Sequence, residues 1–240
     1  MKILDTNTNF GFYPYRKVDT SLDTLKDILK SYQAKALSLS LKGIFYDAIE
    51  GNEETLSLLK GEKDLYPVAT YDPRAYPKGI EYLEGLRAKG FLAIAFFPRL
   101  QGWIIDFAPF REVLDVLKRE NLPIIIHTSG YGELTKISSL AKEMENPFII
   151  AGFHYSNLSE AIAIMKRLKN IYIESHLLNS PDALEYIKRY VDIDRVIFGS
   201  GTPLLSFETA LDVILKSTLS EDEKEKVLSK NFEGILGVEL

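Results

Sequence analysis

The chain contains no cysteine, which excludes disulfides, thiolate nucleophiles and every zinc or iron–sulfur site that depends on sulfur. Any metal has to be held by His, Asp, Glu or Asn, and histidine is itself scarce: His127, His154 and His176 are the only three. No apolar run approaches the roughly 20 residues that a membrane span needs. The start, Met1-Lys2-Ile3-Leu4-Asp5, reaches an acid before any basic-then-apolar signal region develops. The expectation is a cytoplasmic protein with no membrane partner. Excess positive charge is missing too. With 29 Lys and Arg against 34 Asp and Glu, the net charge is -5, and no global positive field exists to hold nucleic acid. The absent cysteine, three methionines and only two glutamines, Gln33 and Gln101, give the thinned set of thermolabile side chains expected of a thermophilic source.

What is present is an ordinary globular composition, 240 residues with 46% hydrophobic and 26% charged side chains, arranged in an alternating pattern. Short β-branched apolar runs recur at 3–7, 36–40, 65–70, 91–96, 123–128, 148–153, 171–174 and 196–198, each followed by a stretch with helical spacing. Runs such as Ile124-Ile125-Ile126 are apolar on both faces, as parallel strands between a barrel interior and a helix layer must be. About eight such pairs predict an α/β protein, a single (β/α)8 TIM barrel occupying 1–240 as one domain. The alternative is an open doubly wound sheet. No glycine-rich phosphate turn follows the first strand, so neither that fold nor a nucleotide cofactor gains support. Helix starts are legible at Asp19 or Thr20, at Ser180-Pro181, and at Ser220 with the acids Glu221, Asp222 and Glu223 in its first turn.

In such a barrel the reactive groups sit at the carboxyl ends of strands, and those positions are polar here. Strand one ends in Asp5-Thr6-Asn7-Thr8-Asn9, where simple alternation places Asp5, Asn7 and Asn9 on one face. Strands five, six and seven end in His127-Thr128-Ser129, His154-Tyr155-Ser156 and Glu174-Ser175-His176, and strand eight in Ser200-Gly201-Thr202. A single histidine after an apolar run is most simply a hydrogen-bonded structural residue. Three at consecutive strand ends predict a shared pocket for proton transfer or metal binding.

The ordered motifs, a strand-one polar triplet, Asp72-Pro73-Arg74, Gly90-Phe91 through Phe97-Pro98, LPIIIHTSG at 122–130, GFHYSN at 152–157, RVIFGSGTPL at 195–204 and NFEGILGV at 231–238, resemble those of the amidohydrolase-related TIM-barrel hydrolases and decarboxylases. The resemblance implies a (β/α)8 barrel that holds a divalent metal, usually zinc, and acts on small molecules by hydrolysis or decarboxylation. It implies His127 and His154 as metal ligands. The family's strand-one His-x-His falls on Asn7 and Asn9, and its strand-eight Asp falls on Gly201. Carboxamides are weak zinc ligands and glycine supplies none. The expectation is therefore zinc at reduced occupancy or no metal, with His176 as a substitute ligand.

Three functions remain open on this reading. One is a hydrolase or related lyase with an altered metal site, in which His127, His154 and Glu174 are catalytic. Another is a metal-free enzyme using His127 or His154 for acid–base chemistry, and the third is a barrel that binds a small molecule without turnover. Asn7, Asn9, His176, Arg74 and Arg99 are the candidate substrate-binding residues, the two arginines as carboxylate clamps or as surface ion pairs. Phe12, Tyr13, Tyr15 and Trp103 are placed to wall an apolar pocket or to form a homodimer contact. The charged stretch 221–226 reads as a solvated helix face.

Overall fold

The computed structural model describes residues 1–180 and 182–240. Among them, eight strands run parallel and pair in chain order: β1 Ile3–Phe10, β2 Ala34–Ser40, β3 Leu65–Thr70, β4 Ala93–Phe96, β5 Ile124–His127, β6 Phe148–Ala151, β7 Ile171–Glu174 and β8 Val196–Ile197. The last strand meets the first through main-chain bonds: Thr6 N to Phe198 O at 3.0 Å, Gly201 N to Asn7 O at 2.9 Å and Asn9 N to Thr202 O at 3.1 Å. The result is the expected (β/α)8 barrel.

The strand sequences explain the two cores. In β4, Ala93 and Ala95 face the barrel axis while Ile94 and Phe96 face the helices, so small residues sit where eight strands converge and large ones where helices must be met. Leu4, Val68, Ile125, Ile149 and Ile197 belong to the same inner cluster. The outer cluster is larger and joins the opposite strand faces to the apolar stripes of the crossover helices. Among the described residues no helix is long and apolar enough to cross a membrane.

Three local expectations are corrected. The crossover from β3 to β4 has no long helix; it is built from the turns Pro73–Ala75 and Ile80–Leu83 and the single helical turn Leu86–Lys89. Pro73 and Pro77 interrupt helical hydrogen bonding there, and the buried Leu83, Leu86 and Phe91 cover the sheet instead. The helix Leu22–Tyr32 is capped by Ser21, whose hydroxyl accepts from Thr24 N at 3.2 Å, while Asp19 accepts from Ser21 N and the Thr24 hydroxyl. Alternation in strand one is also broken. Ile3 belongs to the outer cluster and Leu4 to the inner one, which starts Asp5 on the outer phase. A register shift against β2 between Asp5 and Thr8 then resets the phase. Pro181 lies outside the described residues, and the helix expected near it runs over Ala183–Tyr190.

Ser220 opens the last helix as expected, within a capping box: its hydroxyl accepts from Glu223 N at 3.3 Å and Glu223 accepts from Ser220 N at 2.9 Å. Ser220→Ala should lower stability by about 1 kcal/mol, read as a shift in the urea midpoint at constant slope. Beyond the cap the helix widens into a π turn over Lys226–Lys230. There the Val227 carbonyl accepts from Phe198 N at 3.0 Å, tying this helix to the end of β8.

Candidate active site

A cavity of about 350 Å³ opens at the carboxyl ends of the strands. Its walls are apolar: Leu41, Ile44 and Phe45 follow β2, Phe97 and Leu100 follow β4, and Leu204 and Leu205 follow β8. Tyr13 closes one side, edge-on to both Tyr15 and Phe45. Two guanidinium groups, Arg16 and Arg99, line the same cavity, and neither makes an ion pair among the described residues. Arg16 donates instead to the Leu204 carbonyl.

The floor of the cavity is polar and converges on Glu174 at the end of β7. One carboxylate oxygen accepts from the main-chain N of His176 at 2.6 Å. The other engages His176 Nδ1 and accepts from Asn7 Nδ2 at 3.0 Å. Space for this carboxylate exists because residue 199 is glycine: a Cβ there would lie 2.2 Å from Glu174 Oε1. Asn7 is held in turn by its main-chain N, which donates to Asp5 Oδ1 at 2.9 Å, and Asp5 also accepts from the Ser200 amide and hydroxyl. Across the floor, the His127 ring stacks on Phe97 at 4.3 Å and stands 6.2 Å from the His176 ring, centroid to centroid.

The environment drives these groups apart electrostatically. Burial, with the neighbouring His176 adding to it, lowers the His127 pKa to about 3, so this ring is neutral at working pH. Burial also opposes the charged form of His176, but the charge and hydrogen bond of Glu174, with Asp5 behind it, outweigh burial and raise its pKa. Asp5, fully enclosed, is raised to about 7, by burial first and by the nearby Glu174, against the hydrogen bonds from Ser200 and Asn7. The His127 shift has a stability consequence. A histidine with a depressed folded pKa contributes stability that is complete above its unfolded value near 6.5 and is lost as pH falls towards the folded value. The urea midpoint of wild type should therefore fall, relative to that of His127→Gln, as pH drops from about 6.5 towards 4; a constant difference between the two proteins would contradict the buried neutral ring.

The structure brings Asn7, Asn9, His127, Glu174 and His176 to one floor, with Arg99 on the wall. His154 also lines the cavity but is exposed, beyond the end of β6. Arg74 is not on the cavity: its guanidinium bonds Asp72 through Nη2 at 2.7 Å, which removes it as a carboxylate clamp. Trp103 is likewise no pocket wall, being buried against Phe96 and Phe110 in the outer core. Arg16 was not singled out by sequence, because its contact with the segment after β8 spans most of the chain. Phe45 and Phe97 resemble any other core aromatic until the fold places them.

The model of the family described as amidohydrolase matches residues 52–237, well over half of the chain. The chain belongs to the amidohydrolase family. No curated protein sequence matches this amidohydrolase. Solved structures do. The 2,6-dihydroxybenzoate decarboxylase from Rhizobium superposes with a TM-score of 0.75 at 11% identity, covering 98% of both chains. The 5-carboxyvanillate decarboxylase from Novosphingobium aromaticivorans, complexed with manganese and 4-hydroxy-3-methoxy-5-nitrobenzoic acid, gives 0.75 at 12% identity over 99% of this chain and 96% of its own. The 4-oxalomesaconate hydratase from Rhodopseudomonas palustris gives 0.68 at 14% identity over 98% and 95%. At these identities the likeness establishes the shared fold.

The donor set of this amidohydrolase at the family's metal position can be judged from its own bonds. Both oxygens of Glu174 and the side-chain nitrogen of Asn7 are engaged within the cluster, while Asn7 Oδ1 makes no hydrogen bond among the described residues. Gly201 has φ +73°, and a Cβ there would lie 2.9 Å from Leu205 Cδ1, so Gly201→Asp would be strained before it met a metal. Among the described residues, no group of three or more His, Asp or Glu side chains is arranged to hold a metal ion. As bonded here, these side chains present no ready ligand set for the zinc that the resemblance implies.

Proposed function

We propose that this amidohydrolase is a hydrolase or lyase acting on a small anionic molecule by proton transfer at His176, without zinc at the family position. The observation that carries the reading is the Glu174–His176 pair facing a neutral His127 across the cavity floor. Titratable groups whose environments push their pKa values in opposite directions mark acid and base assignments. His176 bonds Glu174 through Nδ1, which leaves Nε2 for the substrate. A protonated His176 gives its Nε2 proton to the atom that loses its bond: the leaving heteroatom in a hydrolysis, where water adds to the other fragment, or the ring carbon in a decarboxylation, where CO2 departs. The neutral ring regains a proton from the attacking water or from solvent through the cavity mouth. Glu174 orients the ring and stabilises its cation, and so acts as a positioning residue in place of the catalytic residue expected from sequence.

Anion binding falls to Arg16 and Arg99, whose guanidinium groups stand among the apolar walls of the cavity in a chain with net charge -5. The cavity volume suits a molecule of the size of a substituted benzoate, in keeping with the small aromatic compounds named for the structural neighbours. A second reading, a divalent metal held by rearranged side chains, draws on the manganese in two of the neighbours. It requires His127 and His176 to recruit Glu174 away from its present partners. A screen of small carboxylates for turnover by chelator-dialysed protein separates the two. Turnover that survives chelation and disappears in His176→Ala supports the proposal, whereas turnover that returns only with added zinc or manganese overturns it.

A further inference from the structure

The large apolar side chains that this fold leaves exposed are not scattered. Among the described residues the five most exposed are Tyr131, Phe12, Tyr15, Tyr46 and Ile104, between 84% and 61%. Each lies on the segment between the end of a strand and the long helix that follows it, at the carboxyl end of the barrel. Single exposed apolar residues are ordinary, whereas their concentration at the end that holds a cavity marks a binding surface. Three positions join this surface to the cavity itself. Leu100 and Leu205 line the cavity and are nonetheless exposed. The Tyr15 ring stands edge-on to Tyr13 and Phe45, with centroids 5.6 and 5.4 Å away, and both of those line the cavity. The walls thus continue outward as an apolar lip, and the exposed Arg16 and Arg99 line the same cavity.

We infer that the substrate is a single-chain amphiphilic anion: its anionic end and reacting bond occupy the cavity, and an apolar arm too long for the cavity lies outside it on the lip of Tyr15, Leu100 and Leu205. The inference rests on the anion-binding reading above and extends it from the cavity to the surface around its mouth. Charge decides between the occupants such a lip could take. A second copy docked isologously would set the same patch against itself, bringing like guanidinium groups together. An anionic membrane surface repels a chain of net charge -5. An amphiphilic anion meets Arg16 and Arg99 with its head and covers the lip with its arm.

The test is calorimetric titration of straight-chain carboxylates from butanoate to dodecanoate, each below its micelle-forming concentration, into wild type, Arg99→Ala and a lip variant carrying Tyr15→Ser, Leu100→Ser and Leu205→Ser. In wild type, affinity should rise about two- to fourfold per added methylene up to the longest members, the scale of burying a CH2 group. In the lip variant the short members should bind as they do to wild type, and the rise should stop where the chain leaves the cavity. The substituted side chains are exposed, and Leu205→Ser alone serves if the triple variant does not fold. Arg99→Ala should weaken every member by a similar factor. A rise that levels off at the same chain length in wild type and in the lip variant would overturn the inference. Were wild type a dimer, or bound to phosphatidylcholine vesicles, and the lip variant neither, the lip would belong to that occupant and the inference would likewise fall. Failure of every member to bind, or equal binding by wild type, Arg16→Ala and Arg99→Ala, is a different result: it overturns the anion reading of the cavity, and the amphiphile with it.

Discussion

His176→Ala is expected to lower kcat/KM by about 10²- to 10⁴-fold for a small molecule the protein turns over, the scale of a positioned acid–base group. Glu174→Gln should lose a comparable factor, because the amide cannot stabilise the imidazolium that Glu174 now engages at Nδ1. The two residues act as a unit, so the double variant should cost little more than either single one. His154→Ala should lose less than tenfold, since that side chain is exposed at the cavity wall and outside the Glu174 cluster. Steady-state kinetics on variants with wild-type circular dichroism checks the ordering. A larger loss from His154→Ala than from His176→Ala would contradict the assignment and return the chemistry to the histidine implied by family resemblance.

Gly51→Ala should be the most damaging single methyl in the chain. Gly51 lies in the helix Ala48–Leu59, where a Cβ would come within 2.1 Å of Gly43 N and 2.2 Å of Gly43 Cα. Both are main-chain atoms of the short helix Lys42–Phe45, so no side chain can rotate away. Overpacking of well-packed sites costs about 1–3 kcal/mol where neighbours can move, and here the expected loss is about 3 kcal/mol or more. The displaced segment carries Ile44 and Phe45, two walls of the cavity. Urea denaturation of Gly51→Ala should show the lowered midpoint, and ligand affinity should fall with it. A variant as stable as wild type would mean that the two helices separate more readily than their close approach indicates.

The sequence carried the fold well because barrel strands repeat a strong signal, a β-branched run followed by a helical stripe, and six of the seven crossovers obey it. The exception, β3 to β4, is interrupted by Pro73 and Pro77, and its buried Leu83 and Leu86 stand in for a helix without its period. The site was legible in part for the same reason. Polar residues that terminate apolar runs, Asn7, Asn9, His127, Glu174 and His176, do meet at one end of the barrel. Their roles were less legible. Whether Glu174 is a free base or an orienting carboxylate depends on the hole left by Gly199, 25 residues further along the chain and visible only in three dimensions. Arg74 and Arg99 looked equivalent after their strands, yet Asp72, two residues before Arg74, takes up the first. The bulge in β1 had no sequence signature, and it decides which of Asp5 and Asn7 reaches Glu174.

The central claim, that the Glu174–His176 pair does proton chemistry where relatives are expected to hold a metal, is tested most directly by elemental analysis of the protein purified without added metal. Zinc and manganese should lie far below one per chain, unchanged in His127→Ala. Close to one metal ion per chain, lost on replacing His127 or His176, would contradict it.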